Sequence, residues 1–149
     1  MKTYQYTECG LSNVFIDDVD VVQDDQGEET YTIKNILGLH KVIAHAIISR
    51  PRQRMTGEEF RFLRSEMGLT QEEAGKRLGR DRVTISRWER GETIIDPAVE
   101  TVMKVLAIEK LGIDPDLSVE EMASQSDWAV EVTEIRIDGK NPSQYRLAA

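Results

Sequence analysis

Arginine dominates one stretch of this sequence. Between residues 50 and 91 there are 11 Lys/Arg against 7 Asp/Glu, a net of +4, and ten of the eleven bases are arginines. Arg80, Arg82 and Arg87 lie within eight residues of one another, interleaved with Val83 and Ser86. A guanidinium is planar and permanently charged, and its donor fork matches two acceptors at once. It can therefore take a phosphate, or guanine O6 and N7 together. That is the chemistry of recognition rather than of bond making. The motifs that carry catalysis are not found: there is no glycine-rich phosphate loop, no metalloprotease His-Glu pair and no serine-centred elbow. The chain reads as a binding protein, not an enzyme.

The global charge points the other way. The chain has 149 residues and a formal net charge of −8. Residues 1–49 carry 3 bases against 8 acids, and residues 92–149 carry 5 against 12. The arginines thus form a basic island between acidic flanks, and the local stripe decides whether a phosphate backbone is attracted. The other reading of such an island is a solvated helix face, and charge alone does not choose between them. At 40% hydrophobic and 31% charged, the composition suits a globular core. The apolar runs are too short for a membrane span, and Lys2-Thr3-Tyr4-Gln5-Tyr6 gives no secretory signal. One cysteine excludes an internal disulfide, and the expected compartment is a reducing cytoplasm.

Capping signals define the elements that hold the arginines. Thr56-Gly57-Glu58-Glu59 and Thr70-Gln71-Glu72-Glu73 are capping boxes opening two helices, the first with a buried stripe of Phe60, Leu63 and Met67 and ending at Gly68. Asp81 caps a third helix that runs to about Arg90 and Gly91. Asp96-Pro97 opens a fourth, with Val99, Val102, Met103 and Leu106 expected inside. Short helices separated by glycines in this way make a helix-turn-helix pattern. In the third helix Ile85 and Trp88 turn inward, so that Arg82, Val83, Ser86 and Arg87 share the outer side at 3.6 residues per turn.

The segment from Leu69 through Gln71, Ala74, Leu78 and Gly79 to Ser86-Arg87-Trp88-Glu89-Arg90-Gly91 closely resembles the Cro/C1-type (XRE) helix-turn-helix family, over about residues 56–108. The resemblance implies that the third helix enters the major groove of duplex DNA by its first turn. It implies base contacts from Arg82, Val83, Ser86 and Arg87, with Val83 facing a thymine methyl where relatives often carry a polar residue. It implies phosphate contacts from Gln71, at the positive end of its helix, and from Arg80. Arg80 and Arg82 suit phosphate or base equally well. Arg64 and Glu89 take the positions of a partly buried ion pair that holds the fold.

The flanks read as small β elements. Tyr4 and Tyr6 alternate on one strand; Val14 to Val22 reads as a second, bulged at Asp17-Asp18; Tyr31 to Ile33 reads as a third. Leu39, Val42, Ile43, Ala46 and Ile47 then recur at helical spacing up to Pro51. Near the C-terminus, Ser118 caps a short helix, Trp128–Ile137 reads as one strand, and Tyr145-Arg146-Leu147 as its return. The partner of that strand is not legible.

This layout resembles the MqsA (YgiT-type) antitoxin group, whose members hold zinc through paired Cys-x-x-Cys motifs. Here only Cys9-Gly10 of such a motif remains, with Tyr6 in place of the first cysteine. His40 and His45 stand about 140° apart around a helix. Four ligands are not assembled, so no zinc or other cofactor is expected.

The expected fold is therefore α+β: an N-terminal sheet-and-helix module over 1–50, a helix-turn-helix domain over 51–112 and an extension with a strand over 113–149. The expected function is a sequence-specific DNA-binding regulator, a repressor acting as a homodimer on two half-sites. One alternative is an antitoxin whose acidic N-terminal module neutralises a basic toxin protein. The other is an interaction module that no longer binds DNA.

Overall fold

In the computed structural model, which describes residues 2–124 and 127–148, the chain forms an α+β fold in two compact units. One comprises Met1–Ala46 with Thr133–Ala149, the other Ile47–Val132.

The first unit is built on a four-stranded sheet ordered β1-β2-β7-β8. Strand β1 (Thr3–Gln5) runs antiparallel to β2 (Val14–Asp17), and β2 runs parallel to β7 (Ile135–Asp138). Strand β8 (Arg146–Leu147) closes the edge antiparallel to β7, after a 3-10 turn at Pro142–Gln144. The C-terminal strand whose partner was not legible therefore pairs with β2, more than a hundred residues upstream. Asn13 starts this parallel ladder: its backbone carbonyl accepts from Ile135 N at 2.7 Å, and its side-chain amide donates to the Thr133 carbonyl at 2.8 Å. At the other end the buried Asp17 carboxylate accepts from the Thr3 hydroxyl and from Arg136 Nη2, each at 2.7 Å. Those two donors, Thr3 foremost, hold its carboxyl below its ordinary value against the opposing effect of burial.

Two expectations for the strands need correction. Val14 to Val22 is not one bulged strand but β2 followed by β3 (Asp20–Gln23), which pairs with β4 (Glu29–Thr32) in a separate two-stranded sheet. The break falls at Asp18, whose φ of 58° is left-handed and turns the chain out of the ladder. Likewise Trp128–Ile137 is two strands, β6 (Ala129–Val130) and β7, with irregular chain between them. They belong to different units, so a run of β-forming residues serves two sheets.

Helix α1 (Ile36–Ser49) follows, its first turn closed by the Asn35 side chain accepting from Gly38 N at 3.2 Å. Leu39, Ile43 and Ala46 on it are buried, as are Tyr6, Leu11, Val14, Ile16, Ile135 and Ile137 of the same unit. Tyr6 Oη and His40 Nε2 are hydrogen-bonded at 2.8 Å.

The second unit contains the remaining α-helices. After β5 (Gln53–Arg54), which pairs in parallel with β6, come α2 (Gly57–Glu66), α3 (Gln71–Leu78), α4 (Arg82–Glu89), α5 (Pro97–Leu111) and α6 (Val119–Ala123). Complete capping boxes open α2, α3 and α6, at Thr56/Glu59, Thr70/Glu73 and Ser118/Glu121. The core holds Phe60, Leu63, Leu69, Ala74, Ile85, Trp88, Val99 and Met103. The expected buried stripe of α5 is corrected in phase. Val102 is 45% exposed and Leu106 half-buried, while Val99, Glu100, Met103, Lys104 and Ala107 face inward. The rotation follows from charge: α5 buries the Glu100–Lys104 pair alongside its apolar residues.

That pair belongs to a buried polar network. Glu100 accepts from Arg54 Nε at 3.1 Å and from Met55 N at 3.2 Å, and it lies 3.4 Å from Lys104 Nζ. Arg54 also donates to the Ile95 carbonyl. Beside it Arg50 grips Glu59 with both terminal nitrogens, at 2.6 and 2.8 Å, and Glu59 in turn accepts from Thr56 N. Burial pushes the Lys104 ammonium down, and Arg50 and Arg54 add to that, while Glu100 opposes it. These bonds tie the starts of α2 and α5 to the chain entering the domain.

Candidate nucleic-acid interface

Four features set the geometry of α4. Its first turn is fixed by Asp81, whose side chain accepts from Thr84 N at 2.7 Å. Its inner side is fixed by Ile85 and Trp88, both buried, the Trp88 ring meeting Phe60 of α2 edge-on at 5.9 Å between centroids. Its connection to α3 is short because Gly75 lets the chain double back. A Cβ at Gly75 would stand 2.4 Å from the Arg80 carbonyl oxygen, and Arg80 N donates to the Gly75 carbonyl at 2.9 Å.

Its far end is fixed by charge. Arg64 of α2 donates to Glu89 through Nε at 2.6 Å and through Nη2 at 3.0 Å, a fork-on-carboxylate pair. The third nitrogen, Nη1, reaches the Leu69 carbonyl at 2.8 Å, so the same guanidinium also holds the α2–α3 connection. The side chains of the pair are 12% and 4% exposed, which makes it part of the interior.

With the inner side committed to packing, the outer side of α4 presents Arg82, Val83 and Arg87, all exposed, and Ser86, half-buried. Among the described residues, neither Arg82 nor Arg87 closes an ion pair. Val83 is 56% exposed, an apolar residue held in water between arginines. Gln71 is half-buried at the first position of α3, and its Nε2 donates to Glu89 Oε1 at 3.1 Å. Arg80, in the turn, donates to Asp96 Oδ2 at 3.2 Å and to the Gly79 carbonyl at 3.0 Å. Asp96 is also the cap of α5, accepting from Ala98 N.

The structure thus gathers Arg82, Val83, Ser86 and Arg87 onto one helix side, with Gln71 linked to its end and Arg80 in the turn before it. Three features escaped the sequence reading. These are the Gln71–Glu89 bond, the Arg80–Asp96 pair and the buried Arg54–Glu100–Lys104 cluster. Only the last left a sequence signal, an acid and a base four apart among the apolar residues of one helix.

Among the described residues no group of His, Cys, Asp and Glu is arranged to hold a metal ion, and no helix is long and apolar enough to cross a membrane. No curated protein and no solved structure matches the chain. A family model does: residues 57–110, from the start of α2 to the end of α5, match that of a helix-turn-helix domain. The second unit of this chain is therefore built around a helix-turn-helix domain, with α3 and α4 as its two central helices.

Proposed function

We propose that this protein is a sequence-specific DNA-binding regulator of the XRE type, acting in the cytoplasm as a homodimeric repressor. The observation that carries the reading is the outer side of α4, where Arg82, Val83, Ser86 and Arg87 stand together on a helix whose inner side, Ile85, Trp88 and Glu89, is buried. Laid in a major groove by its first turn, such a helix brings two guanidinium forks and an isopropyl group to base edges. Arg82 and Arg87 are the base readers, with Val83 against a thymine methyl and Ser86 between. Gln71 and Arg80 take phosphates, Arg80 by exchanging Asp96 for the DNA backbone. Arg64 and Glu89 hold the recognition helix in place. One such helix makes few base contacts, and a two-fold dimer doubles them.

Selection of duplexes from a random pool by the purified chain tests this. Enrichment of a two-fold symmetric sequence supports it; recovery of an unenriched pool counts against it.

A second reading, an antitoxin of MqsA-like layout, is favoured by the β3–β4 hairpin, whose exposed tip carries Asp24, Asp25 and Glu28. Co-purification of a small basic protein, released at high salt, would support that role alongside DNA binding.

A further inference from the structure

Glu89 accepts three hydrogen bonds on two oxygens. Oε2 takes Arg64 Nε at 2.6 Å, while Oε1 takes both Arg64 Nη2 at 3.0 Å and Gln71 Nε2 at 3.1 Å. An ionised carboxylate only accepts, so the nitrogen end of the Gln71 amide must face it. That nitrogen carries two hydrogens. One is spent on Glu89, and among the described residues no bond is made by the other. Gln71 is also the first residue of α3. The Thr70–Glu73 capping box serves the backbone N–H groups of residues 70 and 73. The helix itself supplies no acceptor for those of Gln71 and Glu72.

We infer that Glu89 is a positioning residue for phosphate recognition. It holds one N–H of Gln71 so that the second is presented, with the free N–H groups of α3, to a phosphate of the DNA backbone. Arg64 completes the device by neutralising a carboxylate that would otherwise repel that phosphate. Two anions, one of the protein and one of the DNA, are thereby bridged by a single amide. A glutamine side chain is rich in rotamers, and holding it before binding spares the ordering cost at the moment of contact. The same carboxylate that fixes the end of the recognition helix also aims the phosphate contact, so the two registers are set together. The inference rests on the DNA-binding reading above.

A double-mutant cycle on duplexes of arbitrary sequence tests it, because phosphate contacts act on every sequence alike. Gln71→Met should weaken binding about 3–10-fold, the loss of one ordinary hydrogen bond. Glu89→Gln should weaken it by a similar factor, and the double variant no further than the larger single loss. Losses that multiply would make Glu89 a purely structural residue and overturn the inference. A second readout needs no variant that might misfold. In the wild-type spectrum, where both protons of any amide resolve because rotation about its C–N bond is slow, one Gln71 side-chain proton should be shifted downfield and slowed in exchange with water relative to the other, and a pair with the shifts and exchange rates of a solvent-exposed glutamine would overturn the inference equally. Failure of the wild type to bind any duplex would instead overturn the DNA-binding reading, and this inference with it.

Discussion

Replacing Glu89 by alanine should cost the second unit about 3 kcal/mol. The figure follows from what remains after the carboxylate is gone. Arg64 keeps one bond, to the Leu69 carbonyl, but its Nε and Nη2 lose their acceptor while its side chain is only 12% exposed. Stranding one member of a deeply buried pair costs about 3–5 kcal/mol, and the partial access of Arg64 to water places this case at the lower end. The control is the double replacement Arg64→Met with Glu89→Met. It removes both charges, fills the volume and should recover most of the loss, because a buried ion pair adds little over apolar packing. Both tryptophans, Trp88 and Trp128, lie in this unit, so fluorescence during urea titration follows its unfolding directly. With a urea dependence of about 1–3 kcal/mol per molar, the midpoint should fall by about 1–3 M for Glu89→Ala. A loss below about 1 kcal/mol, or a double variant as unstable as the sum of its two single replacements, would refute the claim that this pair anchors α4.

Gly75→Ala gains helix propensity yet sets a Cβ 2.4 Å from the Arg80 carbonyl oxygen, which is backbone and has little room to yield; a net loss of about 1–3 kcal/mol in the same titration is expected, with weaker DNA binding. The folded-state pKa of Lys104 lies below its ordinary 10.5, so the unfolded chain binds more protons between the two values and stability should rise with pH through that window. Lys104→Met should flatten that rise in unfolding titrations taken at successive pH values. Asp17 gives a rise of the same sign in an acid window: its folded pKa is below the ordinary 3.8, so its stabilisation is complete above that value and is lost as pH falls through the folded one. Asp17→Asn should therefore shrink the acid limb of the stability profile, and an unchanged limb would remove Asp17 from the account of the sheet.

The helical unit was legible because its signals are local. A threonine three residues before a glutamate, an aspartate before Arg82 and a proline after Asp96 each set one helix start through bonds that span a few residues. The outer side of α4 followed from two inward residues and the helical repeat. The α5 phase was misjudged where that logic assumes buried residues are apolar: Glu100 and Lys104 are buried because they satisfy each other and Arg54. The sheet was illegible for a different reason. The pairing of β2 with β7 joins residues some 120 positions apart, and nothing in either strand names its partner. The Gln71–Glu89 bond shares that character, since it depends on how two helices meet rather than on either helix.

The central claim, that α4 reads bases, is tested most directly at Arg87. Once a preferred duplex has been selected, wild type and Arg87→Ala should be titrated against it and against every single-base change in one half-site. If α4 reads bases, Arg87→Ala loses about 1–3 kcal/mol on the preferred duplex and loses discrimination at one base position, with the others unaltered. Equal weakening on preferred and arbitrary duplexes, with all base preferences intact, would show that Arg87 touches only phosphate and that the outer side of α4 is not the reading surface.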